Sequence, residues 1–226
     1  MKIIAAVPCF NTGKTIGNVV SKAQKYVDQV IIIDDGSQDN TGETAKANGA
    51  TVISHGTNRG YGETIMSCFE AARKYKADIL VTIDGDGQHN PDEIPALIEP
   101  ILHGEADMTI GSRFLNDSVK VPAYRSFGIR LITFLFNLGS LTRVSDSQSG
   151  LRAYHQRLFT DLKLTEKGMS SSIETLQKMR QKRAIIKEVP ASCKYIEATR
   201  RLSPGAITHG LLVALAVIKI RIKSRL

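Results

Sequence analysis

Short aliphatic runs alternate with helical patterning through the first half of the chain. Residues 2–7, 29–34, 50–54, 78–84 and 106–110 are apolar stretches rich in Val and Ile, each followed by polar residues or glycine. Between them, apolar positions recur at helical spacing near 14–27, 40–48, 61–75 and 92–103. Nearly continuous apolar strands separated by amphipathic helices predict an α/β fold, a mostly parallel sheet flanked by helices on both faces. The second half is less regular. It predicts a helix near 124–139, a polar turn at 145–150, a helix near 171–183 and a short strand at 184–189. No internal repeat or low-complexity linker interrupts the pattern, and no domain boundary is expected before about residue 198.

The length of 226 residues suits one domain, and 42% hydrophobic residues can supply its core. With 23% charged residues, disordered, collagen-like and disulfide-scaffold classes are excluded. Three separated cysteines, Cys9, Cys68 and Cys193, argue for a reducing compartment and against a cysteine metal site. They are expected to be small core residues. Only seven residues precede Pro8, too few for the apolar region of a signal peptide, so a cytoplasmic protein is expected.

Charge divides the chain. The net charge is +8, yet no acidic residue follows Glu197, and the first 197 residues hold 24 basic and 22 acidic side chains. The tail carries Arg200, Arg201, Lys219, Arg221, Lys223 and Arg225 around the apolar run 210–218. That run is too short to span a bilayer, which takes about 20 residues. Leu211, Leu215, Ile218 and Ile222 fall on one helical face with cations on both flanks. This predicts a basic amphipathic helix lying on an anionic membrane surface. Packing on the body or on a second subunit is the plainer alternative.

In parallel α/β sheets, ligands bind beyond the carboxyl ends of the strands. Those positions are 8–11, 34–37, 55–62, 84–88 and 111–113, all rich in polar residues or glycine. The sharpest is Asp84-Gly85-Asp86-Gly87-Gln88. Two carboxylates two residues apart, with a neutral amide oxygen beside them, suit Mg2+ or Mn2+ that keeps positions free for substrate phosphates. An EF-hand is excluded, because His89 replaces its glycine and Pro95 its final glutamate. A solvated acidic turn is the bland reading. Asp34-Asp35 closes the second predicted strand, where a carboxylate can accept hydrogen bonds from a base or ribose. Ser37 or Asp39 is read there as a helix cap.

Two nucleotide fingerprints fail. Gly13-Lys14-Thr15 lacks the first glycine of a phosphate loop, since Pro8 stands in its place, and Gly60-Tyr61-Gly62 lacks the third glycine of a dinucleotide site at Ile65. Arg113 and Arg152, in polar segments, suit bidentate phosphate contact. The five histidines show no ligand spacing and are read as structural or surface residues.

As an ordered series these motifs resemble the family 2 inverting glycosyltransferases of GT-A fold. The likeness is greatest to the branch containing dolichyl-phosphate mannose synthase and other polyprenyl-phosphate hexosyltransferases. It covers roughly residues 3–205. It is carried by Val-Pro8-Cys-Phe10-Asn11, Asp34-Asp35-Gly-Ser-x-Asp39, Asn58-Arg-Gly-Tyr-Gly62, Asp84-x-Asp86-x-Gln88, Gly111-Ser-Arg113, Asp146-x-Gln-Ser-Gly-Leu-Arg152 and Arg200-Arg201-Leu-Ser-Pro204. The resemblance implies that Pro8, Phe10, Asn11, Asp35 and Asp84 line the nucleotide-sugar site. Asp84, Asp86 and Gln88 would hold the metal. Arg113, Arg125, Ser126, Arg152 and Arg201 would face the acceptor phosphate. Asp86, Arg113 and the acidic Glu174 are the implied catalytic groups. Thr12 and Phe10 depart from the family's usual Glu and Tyr. Many members carry full transmembrane helices, which this sequence lacks.

The expected organisation is a glycosyltransferase domain over 1–205 and the basic helix over 206–226. The expected reaction is metal-dependent, inverting transfer of a hexose from a GDP- or UDP-linked donor to a polyprenyl phosphate such as dolichyl phosphate. The expected location is peripheral, on the cytoplasmic face of a membrane. A transferase acting on a soluble sugar or protein hydroxyl would need a base, and Glu174 is its candidate. Nucleic-acid binding is disfavoured: the excess charge sits on an apolar helix, the chain has no Trp, and no nucleic-acid motif occurs.

Overall fold

The computed structural model describes residues 1–115, 119–140, 142–166 and 168–195, together with Val213, Leu215 and Val217. Its strands are β1 (Ile3–Cys9), β2 (Gln29–Asp34), β3 (Thr51–Ser54), β4 (Ile79–Thr82), β5 (Met108–Ser112), β6 (Arg152–His155) and β7 (Ile186–Pro190). Its helices are α1 (Ile16–Ala23), α2 (Thr41–Ala47), α3 (Tyr61–Lys74), α4 (Ile94–Leu102), α5 (Ala123–Asn137) and α6 (Ser171–Gln181). The strands form one sheet in the order β3-β2-β1-β4-β6-β5-β7. β6 runs antiparallel to both β4 and β5, and every other pairing is parallel. The expected mostly parallel sheet is present, with one reversed strand inserted near its centre.

Period-two geometry explains why the apolar runs had to be continuous. In β1, Ile4 and Ala6 enter one core cluster while Ala5, Val7 and Cys9 enter the other. In β4, Leu80 faces the first cluster, with Ile79 and Val81 in the second. A strand buried on both sides has no polar face to display. The first cluster is covered by α3, α5 and α6 through Phe69, Phe136 and Leu176, the second by α1, α2 and α4 through Val20, Ala45 and Leu97.

β6 was not anticipated. Four residues, two of them polar, are too few to register an alternation, although Ala153 and Tyr154 fill opposite core clusters. The predicted strand 78–84 ends at Thr82, so Asp84 lies in the loop beyond it. Val213, Leu215 and Val217 are helical; Val213 and Val217 are buried in the cluster that holds Ile132 and Phe136, and Leu215 is exposed. The helical expectation for the tail agrees at these three positions, and its cationic flanks and Leu211, Ile218 and Ile222 lie outside the described residues. No helix among the described residues is long and apolar enough to cross a membrane.

Candidate active site

The loops leaving β1, β2, β3 and β4 meet at one end of the sheet. Asn11 adopts a left-handed backbone (φ 53°), tolerable for Asn. Its N–H donates to Ser37 Oγ at 2.9 Å, and its Oδ1 accepts from Gln38 N at 2.8 Å. Gly36 has φ +74°, and a Cβ there would lie 2.6 Å from the Thr57 carbonyl carbon, so only glycine lets these loops touch.

Buried Asp35 ties them together. Its Oδ1 accepts from Arg59 N at 2.9 Å and lies 2.7 Å from His55 Nδ1, and its Oδ2 accepts from Gly60 N at 2.9 Å. His55 Nε2 in turn lies 2.9 Å from Ser67 Oγ on α3. The expected nucleotide contact therefore also latches the loop that starts α3. Pro8 is buried at the end of β1, with its carbonyl accepting from Gly85 N, while Phe10 stands 47% exposed on the rim.

The loop after β4 carries the paired carboxylates. Tyr61 OH donates to Asp84 Oδ1 at 3.5 Å, and Thr15 Oγ1 donates to the Gly85 carbonyl at 2.7 Å. Gly150 approaches so closely that a Cβ there would meet Asp84 Oδ2 at 2.1 Å. Asp86 accepts from Gln88 N at 3.0 Å and from Gln88 Nε2 at 2.6 Å. Gln88 Oε1 faces the Cys193 thiol at 3.8 Å. Gln88, expected as a metal ligand, thus braces Asp86.

Burial raises the pKa of Asp84, opposed by the charges of Arg113 and Arg152. Burial, and then the charge of Asp84, raise that of Asp86. A carboxylate beside another of like charge is harder to ionise, and a nearby cation would relieve that cost. Around them, Thr12 Oγ1, His89 Nδ1 and Arg152 Nε are buried with no hydrogen-bond partner. Among the described residues no group of three His, Cys, Asp or Glu is arranged around a metal position. An oxygen-only pair, short of a closed cage, fits a hard divalent ion that takes its remaining ligands from phosphate and water.

Arginines form the other wall. Arg113, at the end of β5, grips Asp146 through Nε and Nη2, both at 2.7 Å, and its Nη1 donates to Tyr195 OH at 3.4 Å. Asp146 is set in turn by Glu188 of β7, which accepts from Ser145 N at 2.6 Å and from Asp146 N at 3.0 Å. Arg125, on the first turn of α5, lies over the Tyr195 ring at 5.5 Å. Arg152 is buried and donates to the Ser147 and Ser172 carbonyls and to Ser172 Oγ. Ser126 Oγ accepts from Arg130 Nε at 3.3 Å, and Arg201 lies outside the described residues.

Glu174, expected to be catalytic, is committed elsewhere. Its two oxygens accept from Thr165 N, Thr165 Oγ1 and Glu166 N at 2.8–3.0 Å. Lys178 lies 3.4 Å away. Tyr61, Tyr195, Glu188 and His55 were not singled out from sequence. Tyr61 had a signal in its glycine-flanked loop, whereas Tyr195 and Glu188 sit in unremarkable contexts and gain meaning only from pairings across the fold.

The family model described as "Glycosyl transferase family 2" matches residues 4–163, most of the chain. The chain belongs to glycosyl transferase family 2. It is therefore a glycosyltransferase, and the matched span contains the paired carboxylates, Arg113 and Arg152. It is 34% identical over 220 residues to UDP-N-acetylglucosamine--dolichyl-phosphate N-acetylglucosaminyltransferase of Methanococcus voltae, covering 86% of each chain. It is 28% identical over 225 residues to dolichyl-phosphate hexose transferase of Haloferax volcanii, covering 96% of this chain and 92% of the relative. The sheet with its reversed strand is the GT-A fold. Glucosyl-3-phosphoglycerate synthase of Mycobacterium tuberculosis, solved with Mn2+, UDP-glucose and phosphoglyceric acid, superposes with a TM-score of 0.78 at 22% identity, over 97% of this chain and 79% of that one.

Proposed function

We propose that this glycosyltransferase moves a sugar from a nucleoside diphosphate donor to a polyprenyl phosphate, inverting the anomeric centre. The observation that carries the reading is the carboxylate pair in the loop after β4, where the charge of Asp84 acts on Asp86 and the charges of Arg113 and Arg152 act on Asp84. Similarity over most of the length of relatives named for dolichyl-phosphate transfer supports the acceptor class.

The residues divide the work by charge. Asp84 and Asp86 hold Mg2+ or Mn2+, with Gln88 bracing Asp86. The bound ion supplies positive charge against the departing diphosphate. Phe10 and Asn11 border the nucleoside side, and Asp35 holds the 55–60 loop in place to receive it. On the opposite wall Arg125 meets the acceptor phosphate, since its described contacts are tyrosine rings and the Tyr124 hydroxyl, with no carboxylate. Arg113, already paired with Asp146, contributes field more than a free fork.

A phosphate monoester loses its second proton near pH 6, so the attacking oxygen is ionised at neutral pH and needs no protein base. The engagement of both Glu174 oxygens is therefore no obstacle, and it speaks against a soluble hydroxyl acceptor. A polyprenyl phosphate also requires the protein to work at a membrane surface, on the side where nucleotide sugars are supplied.

The test is to incubate the full chain with labelled UDP- and GDP-sugars, dolichyl phosphate and Mn2+ or Mg2+, then extract into organic solvent. Label in the lipid fraction that depends on the ion is the expected result. Tight donor binding with no lipid-extractable label for any donor would remove the acceptor assignment.

A further inference from the structure

One imidazole joins three elements beside the nucleoside side of the site. His55 follows β3, where its backbone N–H donates to the Asp34 carbonyl at 2.9 Å, one residue beyond the last β2–β3 pair, Asp34 with Ser54. That register brings its ring against Asp35, the residue after β2. Nδ1 lies 2.7 Å from Asp35 Oδ1, and Nε2 lies 2.9 Å from Ser67 Oγ on α3. The Asp35 and His55 side chains are each 5% exposed, so water is poorly placed to take over a lost contact.

Donor and acceptor roles follow from what each group can do. A carboxylate only accepts, so Nδ1 carries a proton and donates to Asp35 Oδ1. Nε2 meets a hydroxyl, which can turn to donate or to accept, so Ser67 holds the ring whether or not Nε2 is protonated. The two oxygens of a carboxylate offer about four lone-pair sites. On Asp35, Oδ1 takes both His55 Nδ1 and Arg59 N, whereas Oδ2 takes Gly60 N alone. The two backbone amides hold both oxygens, and His55 decides which of them is saturated. Without it, Oδ1 would also present an open lone pair, and the carboxylate would be free to tilt between its two amides.

We infer that His55 is a positioning residue for donor binding: it fills Asp35 Oδ1 and leaves Oδ2 as the oxygen offered to the nucleotide, with Ser67 holding the ring in place. The inference rests on the donor reading above and adds how its nucleoside wall is aligned. It differs from a plain buried latch in what it predicts. A latch costs stability alone when cut, whereas a positioning residue costs nucleotide affinity, and the loss is repaired by any side chain that restores the one N–H aimed at Oδ1.

Full-length variants titrated with UDP and with GDP in the presence of Mn2+ test this, alongside Mn2+-induced thermal stabilisation. His55→Gln puts its amide near the place of Nε2 and loses the donor to Asp35. It should bind the nucleotide favoured by wild type roughly tenfold or more weakly, the usual effect of losing a hydrogen bond to a charged group, while keeping the Mn2+ response. His55→Asn puts its amide near the place of Nδ1 and should recover most of that affinity. With the sugar-linked form of that nucleotide, His55→Gln should raise KM and leave kcat within about twofold of wild type. Ser67→Ala should weaken binding about threefold in the wild-type chain and not in His55→Asn, which has no second nitrogen to hold. That last comparison decides the matter should His55→Gln fail to fold. Wild-type affinity in a folded His55→Gln, an Asn variant no better than Gln, or the same effect of Ser67→Ala in both backgrounds would overturn the positioning role and leave the donor reading intact. A wild-type chain that binds neither UDP nor GDP would remove the donor reading and this role with it.

Discussion

Arg113 and Asp146 form a buried two-pronged ion pair, Nε to Oδ2 and Nη2 to Oδ1, each 2.7 Å. The pair joins the end of β5 to the segment before β6. Burial alone would raise the Asp146 pKa, but the Arg113 fork reverses this and leaves it below the usual carboxylate range. Arg113 in turn braces Tyr195, on which Arg125 rests, so this side of the site is built outward from a single charge pair.

Asp146→Asn should therefore cost both stability and activity. Removing one partner leaves a buried guanidinium uncompensated, a loss of about 3–5 kcal/mol. Urea denaturation measures it. A loss under about 1 kcal/mol would mean that water reaches Arg113 and the pair is not structural.

The carboxylates after β4 should behave oppositely. Their pKa values are raised in the folded state, so without metal they weaken the fold as pH rises through the ordinary aspartate range and on through their higher folded values. Asp86→Asn should raise the melting temperature of the metal-free protein at pH 7 and abolish the further rise on adding Mn2+. Turnover should fall by roughly 10²–10³. Retained Mn2+ stabilisation in that variant would place the ion elsewhere.

Much of this was readable in the chain because burial on two faces forces long apolar runs. Those runs end abruptly where Asp34, Asp84 and Arg113 appear. β6 escaped notice because its polar ends, Arg152 and His155, mask a two-residue core contribution. Arg152 and Glu174 stand out in the sequence by charge, but their hydrogen-bond partners, the Ser147 and Ser172 carbonyls and the Thr165 and Glu166 amides, are set only by the fold. A residue's charge is visible in one dimension, but who neutralises it is decided by folding. Glu188 shows the same gap: it sets Asp146 from 42 residues away.

Glu174 supplies a pH test. Burial pushes its pKa up, but the Glu166 and Thr165 donors outweigh it and the net shift is downward. Such a group stabilises the fold above its unfolded pKa, and that contribution is lost as pH falls through the lowered folded value. Glu174→Gln should thus be less stable than wild type at pH 7, with the gap closing in acid. Kinetics separate this from catalysis: if Glu174 only latches the 165–166 backbone, the remaining folded fraction should turn over with an unchanged pH profile. A profile that loses its acidic limb would restore Glu174 as a general base.

Gly150 offers the sharpest probe of the site, because it tests placement without altering charge. Its missing side chain leaves room for Asp84: a Cβ would sit 2.1 Å from Oδ2 and 2.7 Å from Cγ. Neither atom belongs to a long flexible side chain that could swing clear, and Thr82 Oγ1 holds the Gly150 carbonyl at 3.0 Å, so the backbone resists retreat. Gly150→Ala must displace the Asp84 carboxylate from its place beside Asp86. The expected result is a folded protein that has lost Mn2+-induced thermal stabilisation and at least about tenfold in turnover, a modest share of the effect of deleting one electrostatic stabiliser. Full metal response and full activity in Gly150→Ala would show that Asp84 works in another position than the one seen.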